Sequence, residues 1–324
     1  MRSPFFEGLL YLDLLEIYGS SRLVGELCHL SQSNVYRGAM GLAESLDLAF
    51  EKRCGRYGCR RNGDVVARLR EAARLLRARG GQALRFLADY RTPTLRQPLA
   101  DGLWALPQIW LGPRYSLQCL DAGLLDLLLI RSAELSCLLG FAPASLRVGQ
   151  WLFTPSYALL PLNTESVQLY VSGDHPLRRF AGLCPAQIAA FPSPAFAEDV
   201  FPGLNERFRP HGLWNCRIRS RVMAPGLWES FALNGTMVVP STPNAVSAAS
   251  QINTGTLQPL DYTTGLVDHD CLVLPITLLD EPVIQQVVAA IAATYHLSPP
   301  PLRACGGVSH SLLGPVAVVQ HQSA

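Results

Sequence analysis

With 324 residues, 49% hydrophobic and 16% charged, the chain can build two or three packed domains and is too apolar for wholesale disorder. Its formal net charge of +2 excludes a histone-like polycation, yet the charge is uneven: residues 1–80 hold 13 basic and 9 acidic side chains, and Lys52 to Arg79 holds ten basic and two acidic ones. Such a local positive stripe is the footprint expected of a phosphate-binding module. Nine cysteines, an odd number without a CxxC pair, lie in apolar contexts such as Leu27-Cys28 and Leu183-Cys184, which points to free thiols in a reducing compartment. No signal-peptide pattern follows Met1-Arg2-Ser3-Pro4, and the longest apolar stretches, around Ala122–Ile130 and Val283–Tyr295, are too short for a bilayer. The expected location is the cytoplasm, with no membrane partner.

In chain order, Phe6, Leu9, Leu10, Leu14 and Ile17 share one face of a first helix, which Gly19-Ser20-Ser21 breaks. A short helix over 22–28 and a turn at His29-Leu30 follow. Ser31 then caps a third helix from Gln32 to about Ser45, with Val35, Leu42 and Leu46 inward. Gln32, Ser33, Asn34, Tyr36 and Arg37 are left outward, long and hydrogen-bonding enough to reach base edges. The basic run from Phe50 to Gly63, punctuated by glycines, reads as a β-hairpin that could lie along a phosphate backbone. From Asp64 to Arg79 the pattern is helical again: Val65, Leu69, Ala72 and Leu76 step by 4, 3 and 4, with Arg68, Arg70, Arg74, Arg77 and Arg79 elsewhere around the helix. A heptad-like seam of that kind is suited to pairing with a second copy.

Gly80-Gly81 marks a boundary. Beyond it, strands are expected near Leu84–Ala88, Gln108–Leu111, Leu127–Ile130, Ala190–Pro192, Asn215–Ile218, Thr236–Val239 and Cys271–Ile276. Helices are expected near Thr94–Ala105, Tyr115–Ala122, Asp199–Pro210, Pro225–Leu233 and Glu281–Tyr295. The alternation predicts α/β layers with largely parallel sheets. Leu146 to Val171 reads as extended segments crossing between two subdomains.

The run Gly19-Ser20, Glu26, His29-Leu30-Ser31-Gln32-Ser33-Asn34-Val35-Tyr36-Arg37, then Leu42, Leu46 and Phe50-Glu51-Lys52-Arg53, resembles the winged helix-turn-helix of LysR-type transcriptional regulators. Ala122-Gly123-Leu124-Leu125-Asp126-Leu127 is similar to the family's Gly-x-Leu-Asp-Leu-Ala strand entry, Asp174-His175-Pro176-Leu177 to its His-Pro-Leu, and Asn234-Gly235-Thr236-Met237-Val238-Val239-Pro240 to its Gly-x-Gly-(apolar)-Pro segment. The order and spacing of these pieces cover about residues 5–295. The resemblance implies an α/β chain with an N-terminal all-α winged helix-turn-helix over 1–63, a linker and dimerisation helix over 64–81, and a two-lobed, periplasmic-binding-protein-like (type 2) effector domain over 82–324. Lobe I would take about 82–155 and 257–300, lobe II about 156–256, and 301–324 would be an irregular tail. Where the family prefers Pro-Ala-Val-Ser-Arg, this chain has Ser33-Asn34-Val35-Tyr36-Arg37, and Gly38 and Gly41 each cost the third helix roughly 1 kcal/mol of propensity.

The expected partners are double-stranded promoter DNA, a small-molecule effector and further copies of the chain, as a homodimer or homotetramer. DNA contacts are expected from Gln32, Ser33, Asn34, Tyr36 and Arg37 on the recognition helix and from Arg53, Arg56, Arg60 and Arg61 on the wing. The sequence leaves open which of these read bases. Val65, Leu69, Ala72 and Leu76 are the expected dimer seam. Effector candidates, placed after expected strands or at the crossover, are Thr92, Thr94, Arg131, Ser132, Thr154, Ser193 and Thr242, suited to a small polar or anionic molecule. No cofactor or metal is expected: Cys54 and Cys59 lack further ligands, and Gly307-Val308-Ser309-His310 is not a nucleophile elbow. No P-loop or His-Glu-x-x-His appears, so an enzyme is not expected. The competing expectation is a solute-binding or scaffold protein whose degenerate helix-turn-helix no longer reads DNA.

Overall fold

Residues 4–53, 55–88, 102–107, 112–131, 135, 146–148, 150–195, 201–217, 227–233, 235–250 and 255–298 are described by the structure, a computed structural model. The chain begins with α1 (Pro4–Tyr18), α2 (Ser21–Cys28) and α3 (Gln32–Ser45), then a hairpin of β1 (Phe50–Arg53) and β2 (Arg56–Cys59), then α4 (Gly63–Ala78). Local chemistry sets these boundaries. Ser20 Oγ accepts the Leu23 N–H and Ser31 Oγ the Asn34 N–H, each satisfying a first-turn donor that the helix itself cannot. His29, in the left-handed region at φ 55°, closes α2. Gly38 has a packing reason: a Cβ there would lie 2.8 Å from the Tyr11 ring, so the missing side chain lets α1 and α3 cross closely. In the hairpin Phe50 pairs with Cys59 and Arg53 with Arg56, while the Phe50 and Tyr57 rings stack at 5.3 Å.

The strands of the larger lobe are β3 (Leu84–Ala88), β4 (Leu103–Ala105), β5 (Leu127–Arg131), β6 (Leu146–Val148), β7 (Trp151–Phe153), β8 (Tyr157–Pro161) and, after a long excursion, β16 (Asp270–Pro275). They form one seven-stranded sheet in the order β4-β3-β5-β16-β8-β7-β6. α5 (Pro113–Asp121) precedes β5, and α10 (Pro282–Thr294) follows β16. Only β3–β4 and β3–β5 run parallel; the other four pairings are antiparallel, which corrects the expectation of largely parallel sheets. The connections between β6 and β7 and between β7 and β8 are too short for the crossover a parallel pair requires. The C-terminal part of the expected helix Thr94–Ala105 is the edge strand β4, and its earlier residues lie outside the described ones, as does the expected strand Gln108–Leu111.

The smaller lobe holds β10 (Gln168–Ser172), β13 (Val239–Ser241) and β14 (Leu257–Pro259), a three-stranded antiparallel sheet in the order β13-β10-β14. Beside it β11 (Pro194–Ala195) pairs in parallel with β12 (Cys216–Arg217). Around these lie α6 (Pro185–Ala189), α7 (Pro202–Phe208), α8 (Leu227–Leu233) and α9 (Pro243–Ser250). Two extended passages join the lobes, and β9 (Glu165–Ser166) pairs there with β15 (Val267–Asp268). The lobe boundaries therefore fall later than expected: β8 belongs to the larger sheet and β14 to the smaller one.

The apolar residues form three clusters. One covers the face of the larger sheet that carries α10, through Ile284, Val287, Val288 and Ile291; another fills the smaller lobe around Leu169, Val171, Phe201 and Trp214. The third crosses the boundary that sequence reading drew between separate domains. Leu9, Leu12 and Leu42 of the N-terminal helices belong to the same cluster as Leu117, Leu120, Leu128 and Val273 of the larger lobe. The helical unit is thus seated on its own chain's sheet, and α1 is buried on more faces than the single apolar stripe foretold.

Candidate nucleic-acid interface and effector cleft

The outer face of α3 is open. Gln32, Ser33, Asn34, Tyr36 and Arg37 are all exposed, whereas Val35, Ala39, Leu42 and Ala43 are buried against the rest of the helical unit. The first two turns of the helix therefore offer amide, hydroxyl and guanidinium groups on a rigid, capped support. Among the wing candidates, Arg53 and Arg60 approach Glu51 at 2.7 and 3.6 Å, and Arg61 meets Asp47. These pairs are solvent-exposed and weak, so the guanidiniums remain available to a polyanion. Arg56 points elsewhere: its guanidinium lies 4.0 Å from the centroid of the Tyr115 ring on α5. Lys52 is likewise held, donating to the Gly19 carbonyl at 2.6 Å.

On α4 the arginines do not all face solvent. The buried stripe is Val66, Arg70, Ala73 and Arg77, one residue out of step from the expected seam. Arg70 donates to Asp13 and Glu16 of α1, both at 2.7 Å, and Arg77 grips Asp126 with two bonds of 2.7 and 2.8 Å. Arg85 on β3 donates to the other oxygen of Asp13 at 2.6 Å, and its backbone N–H to Asp126 at 2.8 Å. Arg74 donates to the Leu120 and Leu125 carbonyls. Burial pulls the Arg70 guanidinium down, but Asp13 and Glu16 more than reverse this and hold it above the usual arginine range; Arg85, more deeply buried, stays below it. These arginines join α1, α4, α5 and β3, and are not displayed to a phosphate backbone. Sequence reading missed the network. Its available signal was Asp13 on the helical row between Leu9 and Ile17, and Asp126 inside an unbroken leucine run.

The expected dimer residues occupy the face of α4 that adjoins this stripe, about 100° around the helix. Val65, Ala72 and Leu76 are exposed, Leu75 beside them is 39% exposed, and Leu69 is half-buried against the core.

Of the effector candidates, Thr92, Thr94 and Ser132 lie outside the described residues. Thr154 closes the β7–β8 turn, its Oγ1 accepting the Tyr157 N–H at 3.0 Å. Arg131 is buried where the lobes join, with Asp270 at 2.9 Å and Glu165 at 3.5 Å. There burial pushes the Asp270 carboxyl up to about 6, with Arg131 opposing the shift and Asp268 and Glu165 adding to it. Ser193 and Thr242 are buried in the smaller lobe, and neither hydroxyl has a hydrogen-bond partner among the described residues. The Val238 N–H donates to the Pro192 carbonyl at 2.9 Å, which sets Ser193 alongside β13, the strand that Thr242 follows. Among the described residues no group of three His, Cys, Asp or Glu is placed to hold a metal, the six described cysteines are free thiols, and no helix is long and apolar enough to cross a membrane.

No protein-family model matches the sequence, and no curated protein matches it. Solved structures do match it. A full-length OxyR variant from Pseudomonas aeruginosa superimposes with a TM-score of 0.52 at 16% identity, covering 91% of this chain and 98% of that one. ArgP from Mycobacterium tuberculosis gives 0.50 at 17% identity, over 91% and 97% of the two chains. A probable transcriptional regulator from Pseudomonas aeruginosa gives 0.50 at 16% identity, over 88% and 95%. Each likeness covers about nine-tenths of the chain, and the chain shares the overall fold of these three proteins.

Proposed function

We propose that the chain is a LysR-type transcription regulator rather than an enzyme, acting on double-stranded promoter DNA as a homo-oligomer in the cytoplasm. The observation that carries this reading is the outward face of α3: five polar side chains exposed together on a helix whose start is capped and whose back is packed. Gln32 and Arg37 have the geometry for bidentate contacts to adenine and guanine, and Ser33, Asn34 and Tyr36 suit phosphates or base edges. Arg53, Arg60 and Arg61 on the wing add phosphate contacts, and the exposed stripe Val65, Ala72 and Leu76, with Leu69 behind it, pairs two copies. The close α1–α3 crossing at Gly38 weighs against a degenerate helix-turn-helix, because that glycine serves the packing of the motif.

The regulated input on this reading is a small polar or anionic effector in the cleft between the lobes. Ser193 and Thr242 are its best-supported contacts, since an unpaired buried hydroxyl is costly unless something binds it. Arg131 acts from behind, through its ion pairs where the lobes join. Sequencing the genomic fragments that the purified protein retains tests the reading. Enrichment of paired half-sites about one helical turn apart, or a multiple of it, supports it, and retention without sequence preference contradicts it.

A further inference from the structure

The seating of the helical unit on the larger lobe leaves a crevice. Its wide part, about 430 Å³, is walled by Leu10 and Tyr11 of α1, Leu27 at the end of α2, and Leu103 and Trp104 of β4. That volume lies within the range of small-molecule sites, which favour domain junctions and apolar walls with a few polar groups. A narrow recess of about 50 Å³ opens beside it and shares Glu7, Leu10, Ala83 and Trp104 with it. Arg77 and Arg85 line the recess, and both side chains are more than nine-tenths buried. Their bonds to Asp126, Gly123, Asp13 and Leu124 use only part of each guanidinium: Arg77 Nη1 and Arg85 Nη2 donate to nothing among the described residues. The surrounding network sets four guanidiniums (Arg70, Arg74, Arg77, Arg85) against three carboxylates (Asp13, Glu16, Asp126). Glu7, which borders both spaces, is half-buried and has neither a hydrogen bond nor an ion pair among the described residues.

We infer that this crevice is a second ligand site, separate from the interlobe cleft, for a zwitterion on a bulky apolar body such as an α-amino acid with an aromatic or branched side chain. The ligand carboxylate enters the recess and takes the unused donors of Arg77 and Arg85, supplying the anion the network lacks. The ammonium, one carbon away, meets Glu7 at the boundary of the two spaces. The side chain fills the wide part between Tyr11, Leu27, Leu103 and Trp104. Because α1 and α2 form one wall and β4 the other, an occupied site ties the DNA-binding unit to the larger lobe.

The test is calorimetric titration of the full chain with L-tryptophan, tryptamine and indole-3-propionate, which share the apolar body and differ in the charges they carry. L-tryptophan binds at least tenfold more tightly than either singly charged analogue. Ala83→Phe, at an exposed position that borders both spaces, weakens L-tryptophan at least tenfold. Glu7→Gln brings L-tryptophan down to the level of indole-3-propionate and leaves the latter unchanged. If L-tryptophan, L-phenylalanine and L-leucine all fail to bind, or if an analogue matches the amino acid, the assignment is overturned. It is also overturned if both folded variants, checked by circular dichroism, bind as the parent does, because the ligand then lies elsewhere.

Discussion

α3 and α4 are neighbouring helices of similar length and opposite logic. On α3 the polar side chains point out and the packing is apolar, so the outer face is free to act. On α4 Arg70, Arg74 and Arg77 point in while Arg68 stays exposed, and the apolar residues Val65, Leu75 and Leu76 are left outside. An arginine count therefore says little about phosphate binding: of the basic run from Lys52 to Arg79, Arg70, Arg74 and Arg77 hold the chain together and Lys52 and Arg56 are engaged by Gly19 and Tyr115. Burial against a partner within the chain, not charge, decides the role.

The largest effect expected from this contrast is structural. Asp126→Ala leaves Arg77 buried without its partner and costs about 3–5 kcal/mol of stability, readable by urea denaturation. An undiminished midpoint would mean that the inner face of α4 is held by apolar contact alone.

The ion pair where the lobes join gives the next largest, with a defined pH window. Asp270 is raised from an unfolded value of 3.8 to about 6, so between those values the native state binds the proton more tightly than the unfolded one. Stability attributable to this group is thus highest below pH 4, falls as pH rises through 6, and is level above it, an amplitude of about 3 kcal/mol at most. Asp270→Asn lacks that slope, so the difference between the parent and variant stability curves changes by that amount between pH 4 and 6. A parallel pair of curves from pH 4 to 7 would refute it.

On α3, Arg37→Ala weakens specific DNA binding by about 1–3 kcal/mol if the side chain reads a base, and weakens all sequences alike if it holds a phosphate. Equal affinities for both kinds of DNA in variant and parent would remove Arg37 from the interface. On the wing, Arg56→Ala loses only the stacking on Tyr115, about 0.5–1 kcal/mol of folding stability, and leaves the salt dependence of DNA binding unchanged. The smallest folding effect, within about 0.5 kcal/mol, belongs to Val65→Asp combined with Leu76→Asp on the outer face of α4. Sedimentation of that double variant distinguishes the readings: a smaller assembly than the parent supports a subunit seam, and an unchanged one contradicts it.

The same contrast explains what could be read from the sequence. Features set by nearby residues were legible, including the serine cap of α3, the glycine-flanked hairpin, and the apolar runs of β5 and β16. The inner face of α4 was not, because its partners Asp13 and Asp126 lie 57 and 49 residues away and no local period encodes such pairs. The heptad-like stripe was a sound observation, but it marks the face left uncovered within one chain. Strand direction was missed for a similar reason: β16 arrives beside β5 only after the chain has built the smaller lobe and returned. In the candidate site, the exposed face of α3 followed from its amphipathic spacing. The diversion of Arg56 to Tyr115 depends on how the helical unit is seated, which helical spacing does not contain.

The central claim is that α3 and the exposed wing arginines meet DNA while the inner arginines of α4 do not. The slope of log affinity against log salt on duplex DNA measures it most directly, for the full chain and for Arg53→Ala, Arg60→Ala and Arg61→Ala combined. A steep negative slope in the parent, flattened by about one for each phosphate that the variant no longer neutralises, is the predicted result. A parent slope near zero, or a steep slope that the triple variant leaves unchanged, would contradict the account.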